Sequence, residues 1–289
     1  MKKKVLALAL ACAVSLSLLA GCGNGDSGNS SSPAGSDAGA ENSAAAESVT
    51  IRVGATPAPH VQILEQVVDV LAEQGITLEI VEINDYNTPN DGVEDGSLDA
   101  NYFQHITYMN EYNESHSTHL VSVGEIHYEP LGLYAGKTAS VEDLPDGAQI
   151  AVPNDATNEA RALLLLEQEG LITLAENAGI NATVLDIVDN PKNLEIVELE
   201  AAQIPSRLAD VDLAVINGNY AMGAGMLVSD ALAIESSEGE AATAYANVVA
   251  VKEGNENNEA ILALVDALKS DEVKAYMEET FQGSVVPLF

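Results

Sequence analysis

The stretch AQIAVPNDATNEARALLLLEQEG, residues 148–170, indicates the fold most clearly. Its opening AQIAV predicts a short buried strand, and the polar PNDATN predicts a loop. The apolar residues of EARALLLLEQEG fit a helix, and Gly170 is suited to its end. A strand that leads through a polar loop into a helix is the building unit of α/β proteins.

The same order recurs along the chain. Apolar runs predict further strands, and apolar residues at helical spacing predict helices at 61–71 and 261–268. The predicted strands are VTIRVG (49–54), ITLEIVEI (76–83), VDLAVI (211–216) and ANVVAV (246–251). We therefore predict an α/β fold with largely parallel sheets.

Polar loops follow these strands. They are TPAPH (56–60), NDYNTPND (84–91), PNDATN (153–158) and NGNY (217–220). In open α/β sheets, ligands bind outside the carboxyl ends of the strands. We therefore expect these four loops to form the binding site.

The N-terminus has the features of a secretory signal. Lys2, Lys3 and Lys4 precede an apolar run over residues 5–19, and LAGC ends at Cys22. This resembles a bacterial lipobox, so we predict a signal peptide at 1–21 and acylation of Cys22, with palmitate among the lipids. A membrane-spanning helix is the alternative, but it needs about 20 apolar residues. Residues 22–48 predict a disordered tether, because they offer little apolar surface to bury.

Composition excludes several classes of partner and chemistry. The chain has 11 basic and 45 acidic residues, a net charge of −34. Nucleic acid and anionic lipid surfaces are therefore excluded, since both bind clustered Lys and Arg. Cys12 lies in the predicted signal peptide and Cys22 would carry lipid. No thiol then remains for a disulfide, a metal or catalysis.

Catalytic motifs are absent from the sequence. It contains no HExxH, GxSxG or CxxC, and the P-loop spacing of Gly218 and Gly223 is followed by Ala224 instead of lysine. A zinc hydrolase built on His116, His119 and His127, or on a carboxylate pair, is the rival hypothesis. We predict no enzyme activity, cofactor or metal, with these histidines on a polar surface.

Aromatic residues concentrate in DANYFQHITYMNEYN, residues 99–113. The chain has nine Tyr, three Phe and no Trp, yet four of these rings lie here. Rings interleaved with a few polar groups are typical of a small-molecule pocket. Such rings would also suit a thioether, because sulfur contacts aromatic rings favourably. The alternative is that the rings belong to the core.

Arg161 lies near the start of the predicted helix, where the helix dipole disfavours a cation. One interpretation is a surface ion pair with Asp155 or Glu159. The other is that its guanidinium binds a ligand carboxylate through two parallel hydrogen bonds, which lysine does less well. The sequence leaves both open.

Five segments of the chain resemble one family. They are VGATPAPHVQILE, GSLDANYFQH, AVPNDATNEARALLLLEQEGLI, VLDIVDNPKNLEIVELEAAQIP and DLAVINGNYA. From about Val53 to the end, the chain is similar to the NlpA-type methionine-binding lipoproteins of ABC importers. The resemblance implies a periplasmic-binding-protein fold, type II-like, in which two α/β lobes joined by two crossover strands close over one free amino acid. The lobes would be residues 49–136 plus 246–289, and residues 137–245.

The resemblance also implies roles for single residues. Arg161 would hold the ligand carboxylate and Asn217 would hydrogen-bond the amino-acid backbone, with help from Asn158 and Tyr86. The side-chain pocket would be lined by Tyr102, Phe103, His105 and Tyr108, and Asn101 is a further candidate. We expect Arg161→Ala to abolish methionine binding and to leave the thermal unfolding midpoint nearly unchanged.

The function implied is solute capture. The protein would be a monomer, anchored by lipid on the extracytoplasmic side of the cell membrane. It would capture L-methionine and deliver it to an ABC permease with its ATPase. A Met-containing dipeptide or another small apolar amino acid is the alternative ligand, and a structural lipoprotein with an empty cleft is the remaining alternative.

Overall fold

The structure is a computed structural model that describes residues 48–235 and 244–289. The predicted signal peptide, the acylation of Cys22 and all of the tether except Ser48 lie outside the described residues. Within them, no helix has both the length and the apolar character needed to cross a membrane.

The first sheet contains the strands from both ends of the described chain. Its order is β13-β4-β12-β3-β1-β2. The strands are β1 (Val49–Ala55), β2 (Ile76–Glu82), β3 (Ala100–His105), β4 (Leu120–Tyr128), β12 (Ala246–Lys252) and β13 (Val286–Pro287).

The second sheet is built from the middle of the chain. Its order is β11-β5-β10-β6-β9. The strands are β5 (Gly132–Ala135), β6 (Gln149–Pro153), β9 (Glu195–Leu199), β10 (Leu213–Ile216) and β11 (Ala233–Ile234). A separate pair consists of β7 (Thr173–Leu174) and β8 (Ile187–Asp189).

Helices cover the sheets. They are α1 (Gln62–Glu65), α2 (Val68–Glu73), α3 (Thr88–Asp95), α4 (Ile106–His116), α5 (Ala156–Gln168), α6 (Ile204–Arg207), α7 (Gly218–Gly223), α8 (Glu259–Leu268) and α9 (Asp271–Phe281). The single helix predicted over residues 61–71 is two helices. Gln66 and Val67 bond three residues back, to Ile63 and Leu64, and this tighter turn interrupts the helix.

The prediction of largely parallel sheets is wrong. β1 is parallel to β2 and β3, and β6 is parallel to β9 and β10. However, β12 is antiparallel to both β3 and β4, and β5 is antiparallel to β10. The reason is that β12 returns from the second sheet and inserts between β3 and β4 in the opposite direction.

Both sheets are buried on two faces, as α/β layers require. In β12, Val249 and Val251 belong to one apolar cluster, whereas Val248 and Ala250 belong to another. This follows from the two-residue period of a strand. The second sheet is likewise flanked by two clusters, one formed largely with α5. The predicted α/β class is confirmed.

The chain passes from the first sheet to the second at residues 129–131 and returns between Glu235 and Ala246. The division into two lobes stays a prediction. Because β5 (Gly132–Ala135) lies in the second sheet, a boundary drawn from the sheets falls before Gly132 instead of after residue 136.

Candidate functional site

A cavity of about 350 Å³, counting its open mouth, lies between elements of the two sheets. Both sheets contribute polar and aromatic side chains. Those from the first-sheet side and its connection are Tyr86, Phe103, Gln104, His105, Tyr108, Glu129 and Asn247, and those from the second-sheet side are Asn158, Arg161, Asn217, Gly218 and Asn219.

Three rings form the aromatic wall of the cavity. The Tyr86 ring centroid lies 5.8 Å from that of Phe103 and 5.6 Å from that of Tyr108. The Tyr86 hydroxyl donates to Asn219 Oδ1 at 2.6 Å, which ties this wall to α7. Tyr86, Phe103 and Tyr108, which were predicted as site residues, therefore lie together at the cavity.

Three polar side chains connect the two halves of the cavity. His105 precedes α4 and accepts the Tyr108 backbone N–H at Nδ1, so its Nε2 carries the proton that faces Asn158 Oδ1 at 3.2 Å. Burial, with the charge of Arg161, lowers the pKa of His105 to about 3, so the ring is neutral. Asn217 Nδ2 also donates to Asn158 Oδ1, at 2.8 Å.

Asn217 leaves one group unpaired. Among the described residues, the Asn217 Oδ1 atom is buried without a hydrogen-bond partner, and the residue as a whole is 6% exposed. A buried acceptor without a partner is unfavourable and uncommon in folded proteins. Because Asn217 lines the cavity, a ligand N–H is a suitable partner for this oxygen.

Arg161 is buried, with 4% of its surface exposed, and its partner is Glu235. Nε and Nη2 of Arg161 donate to the Glu235 carboxylate, and Nη2 also donates to the Glu129 carbonyl. Nη1 has one partner among the described residues, Asn158 Oδ1 at 3.2 Å. Because Nη1 carries two N–H groups, one remains for a ligand.

The surface ion pair with Asp155 or Glu159 is therefore wrong. Arg161 is buried and pairs instead with Glu235, which lies 74 residues further along the chain. The buried pair also argues against an unchanged unfolding midpoint in Arg161→Ala. Without Arg161, the Glu235 carboxylate would be buried and unpaired, and such a charge is costly.

Glu129 follows β4 and places a carboxylate at the cavity. Its Oε1 lies 2.8 Å from His127 Nε2 and 3.3 Å from His60 Nε2. Burial raises the pKa of Glu129 to about 7, against the smaller opposing effects of His60, Arg161 and the Asn219 backbone N–H. A cationic ligand group would favour the ionised form.

Two predicted residues do not line the cavity. Tyr102 is fully buried in the core of the first sheet, and its hydroxyl bonds His127 Nδ1. It neighbours Phe103 on β3, and successive strand residues point to opposite faces. Asn101 is also fully buried, and its Nδ2 donates to the Pro89 carbonyl and to Asn90.

Five lining residues escaped the sequence analysis: Gln104, Glu129, Gly218, Asn219 and Asn247. Gly218 and Asn219 belong to the NGNY loop, which was predicted as part of the site, although neither residue was named as a site residue. Glu129 is one of 45 acidic residues. Its position directly after a strand was the available signal.

The zinc set of the rival hypothesis is not assembled. His119 is exposed beside Glu94, and His116 stacks on Tyr112. The prediction that these histidines lie on a polar surface is wrong for His127, which is fully buried because it lies on β4 inside the first sheet. Among the described residues, one group has ligand atoms close enough together for a metal ion, and it joins His127 with His60 and Glu129.

An acidic recess adjoins the cavity and shares Tyr86 and Tyr108 with it. Asp85, Asp155 and Glu200 line this recess. Carboxylates beside a cavity repel anions. They therefore disfavour a ligand with a net negative charge relative to a zwitterion or a cation.

Comparison with known proteins identifies the family. The NlpA lipoprotein family matches residues 51–289. The chain belongs to the NlpA lipoprotein family. Its members include the D-methionine-binding lipoprotein MetQ of Escherichia coli, which is 40% identical over 240 residues, 82% of this chain and 87% of that protein.

Solved structures agree with this membership. A lipoprotein of Ruminococcus gnavus is 54% identical, with a TM-score of 0.82 over 83% of this chain and 99% of that one. A nutrient binding protein of Burkholderia cenocepacia bound to methionine is 43% identical, with a TM-score of 0.77 over 83% and 100%. The fold is thus that of periplasmic substrate-binding proteins, as predicted.

Proposed function

We propose that this protein is the lipid-anchored substrate-binding component of an ABC importer and that it captures L-methionine. It performs no covalent chemistry. The cavity takes one zwitterion, with the carboxylate at Arg161, the ammonium group at Glu129 and Asn217, and the side chain along the rings.

The unpaired Asn217 Oδ1 carries the proposal. It lies in a cavity that also contains a guanidinium and a carboxylate. An amino acid supplies the matching groups, since its ammonium donates to Asn217 and Glu129 and its carboxylate accepts from Arg161 Nη1. Such charge-assisted hydrogen bonds are among the stronger ones in proteins.

The aromatic wall supports methionine as the side chain. Tyr86, Phe103 and Tyr108 form one wall of aromatic rings, against which the sulfur of an unbranched thioether packs favourably. The relative from Burkholderia cenocepacia that is bound to methionine and the D-methionine-binding lipoprotein MetQ support a methionine side chain in the ligand. Carboxylate, ammonium and side chain then have three separate contacts, which distinguish the two enantiomers.

Transport follows from capture. The two α/β lobes close over the ligand by a hinge motion, and the closed form is the one that an ABC permease with its ATPase receives. Acylation of Cys22 holds the monomer at the extracytoplasmic face of the cell membrane. Stable membrane anchoring takes two attachments, such as two acyl chains or one chain plus a basic patch. A diacylated Cys22 provides two acyl chains.

A binding screen tests the proposal. Purified protein is titrated by calorimetry with L-methionine, D-methionine, glycyl-methionine, leucine and glutamate, after unfolding and refolding to remove bound ligand. We expect the tightest binding for L-methionine and none for glutamate. Preference for glycyl-methionine or leucine would support the alternative ligand, and no binding to any of the five would contradict the proposal.

A further inference from the structure

Behind the cavity, two histidines and two hydroxyls surround the side chain of Glu129. His60, in the turn Pro57–Val61, bonds Thr56 Oγ1 at Nδ1 (2.7 Å) and faces Glu129 Oε1 at Nε2. His127, on β4, bonds the Tyr102 hydroxyl at Nδ1 and Glu129 Oε1 at Nε2. These side chains are at most 7% exposed.

The hydroxyls determine where the imidazole protons lie. Among the described residues, the Thr56 hydroxyl and the Tyr102 hydroxyl each have one hydrogen-bond partner, a histidine Nδ1. A buried hydroxyl donates its proton to such a partner, because it otherwise has none. Both Nδ1 atoms are therefore acceptors, and both Nε2 atoms carry protons. The His127 Nε2 proton points to Glu129 Oε1, whereas the His60 Nε2 proton points to Asn247 Oδ1, with Glu129 Oε1 3.3 Å away.

This arrangement argues against a metal at the same three residues. A metal ion would take the place of the Nε2 protons and move them to Nδ1. The hydroxyl protons of Thr56 and Tyr102 would then lose their acceptors in the interior. Without a metal, each imidazole N–H has an acceptor, Glu129 Oε1 for His127 and Asn247 Oδ1 for His60.

We propose that His127, with His60 packed beside it, is a positioning residue, which holds Glu129 as an ionised carboxylate for the ligand ammonium group, so that ligand binding weakens in mild acid. The inference rests on the proposed function. It deepens that function by assigning the proton-sensitive group of the site.

Other charged or titratable groups reach Glu129 from each neighbouring element. Arg161 on α5 donates to its carbonyl, and Tyr102 on β3 lies behind His127. α7 contributes the Asn219 backbone N–H. Asn247 on β12 is uncharged, and its Oδ1 shares the His60 Nε2 proton at 3.0 Å. The Tyr86 hydroxyl, whose pKa burial raises well above 10, is neutral.

The direction of the pH effect follows from these groups. Burial lowers the pKa of His60 to about 4 and that of His127 to about 3, so both rings stay neutral above pH 5. Burial raises the pKa of Glu129 to about 7. Because the ammonium group binds the carboxylate form, ligand binding releases a proton near neutral pH, and affinity falls as the pH drops below 7.

The test is calorimetric titration of the wild-type protein with L-methionine between pH 5.5 and 8. We expect a dissociation constant about tenfold larger at pH 6 than at pH 8, as expected for one group with a pKa near 7. At pH 7, the binding heat depends on the ionisation enthalpy of the buffer, because a proton is released. Equal affinities at pH 6 and pH 8, with no dependence on the buffer, would overturn the inference.

Variants separate positioning from packing. His127→Phe removes one N–H donor, so we expect the midpoint of the affinity profile to move to higher pH. His127→Gln retains an N–H near the Nε2 position and restores the midpoint. Glu129→Gln binds weakly at every pH with a flat profile, and the exposed His119→Phe keeps the wild-type profile. An unchanged midpoint in His127→Phe would overturn the role of His127.

The two proposals fail differently. If L-methionine binds with a flat pH profile, the proposed function stands and the role of Glu129 and its histidines is refuted. If L-methionine binds at no pH, the proposed function is refuted and this inference with it.

Discussion

Arg161 combines a structural role with a binding role. Nε and Nη2 pair with Glu235 in the interior, and Nη1 is directed to Asn158. The guanidinium also lies over the Tyr245 ring, 4.2 Å from its centroid. Only a planar, multiply donating cation satisfies these partners together, and lysine does not replace it.

The buried ion pair predicts the stability of Arg161→Ala. The substitution leaves Glu235 buried and unpaired, so we expect the free energy of unfolding to fall by about 3–5 kcal/mol. Urea denaturation without ligand measures this. The matched control is Arg207→Ala, whose exposed pair with Asp210 is worth less than about 1 kcal/mol. Equal losses in the two variants would contradict the structural role.

Asn217 is the residue whose loss should affect binding most directly. Asn217→Ala removes the acceptor for the ligand ammonium group and the donor to Asn158. We expect the free energy of methionine binding to weaken by about 1–3 kcal/mol, measured by calorimetry. The exposed Asn257→Ala is the control. A loss below a few tenths of a kcal/mol would place Asn217 outside the binding contacts.

At the scale of elements, α7 is positioned by a glycine. A Cβ at Gly218 would lie 2.9 Å from both Cβ and Oε2 of Glu129, closer than real Cβ contacts allow. The helix therefore approaches Glu129 only because residue 218 lacks a side chain. This contact brings Asn217 and Asn219 to the cavity.

Two substitutions in the same helix test this contact. Gly218→Ala should weaken methionine binding at least tenfold, because either α7 or Glu129 must move. Gly223→Ala meets no atom within 4 Å, so we expect unchanged affinity and a gain of up to about 1 kcal/mol in the free energy of unfolding. Calorimetry and urea denaturation measure both effects. Unchanged affinity in Gly218→Ala would show that the contact is dispensable.

Elements with strong local patterns were predictable, and choices that depend on distant residues were not. β1, β2 and α5 follow from apolar spacing alone. The direction of β12 does not, because it depends on pairing Asn247 with His105, far apart in sequence. Alternation along β3 predicts that Tyr102 and Phe103 face opposite ways, but not which of them faces the cavity. The pairing of Arg161 with Glu235 likewise joins residues far apart in sequence, so local patterns do not predict it.

For the whole molecule, the dominant physical property is its negative charge of −34. Among the described residues, several carboxylates pair with histidine, lysine or arginine, but most acidic residues have no cationic partner. Repulsion between like charges destabilises a compact state. Salt screens this repulsion, with a Debye length of about 10 Å at 0.1 M.

Salt should therefore stabilise the protein. We expect the thermal unfolding midpoint to rise between about 0.02 and 0.5 M sodium chloride, because screening reduces the repulsion between carboxylates. Differential scanning calorimetry without ligand measures the midpoint. The same series in sucrose at equal osmolality controls for general solute effects, and a midpoint that falls with salt would contradict the prediction.

The whole account depends on how one zwitterion lies between the two sheets. A crystal structure of the protein with L-methionine tests this most directly. The account predicts the carboxylate about 3 Å from Arg161 Nη1, the ammonium about 3 Å from Asn217 Oδ1 and Glu129, and the sulfur against Phe103. Methionine bound elsewhere, or bound here with its carboxylate away from Arg161, would contradict it.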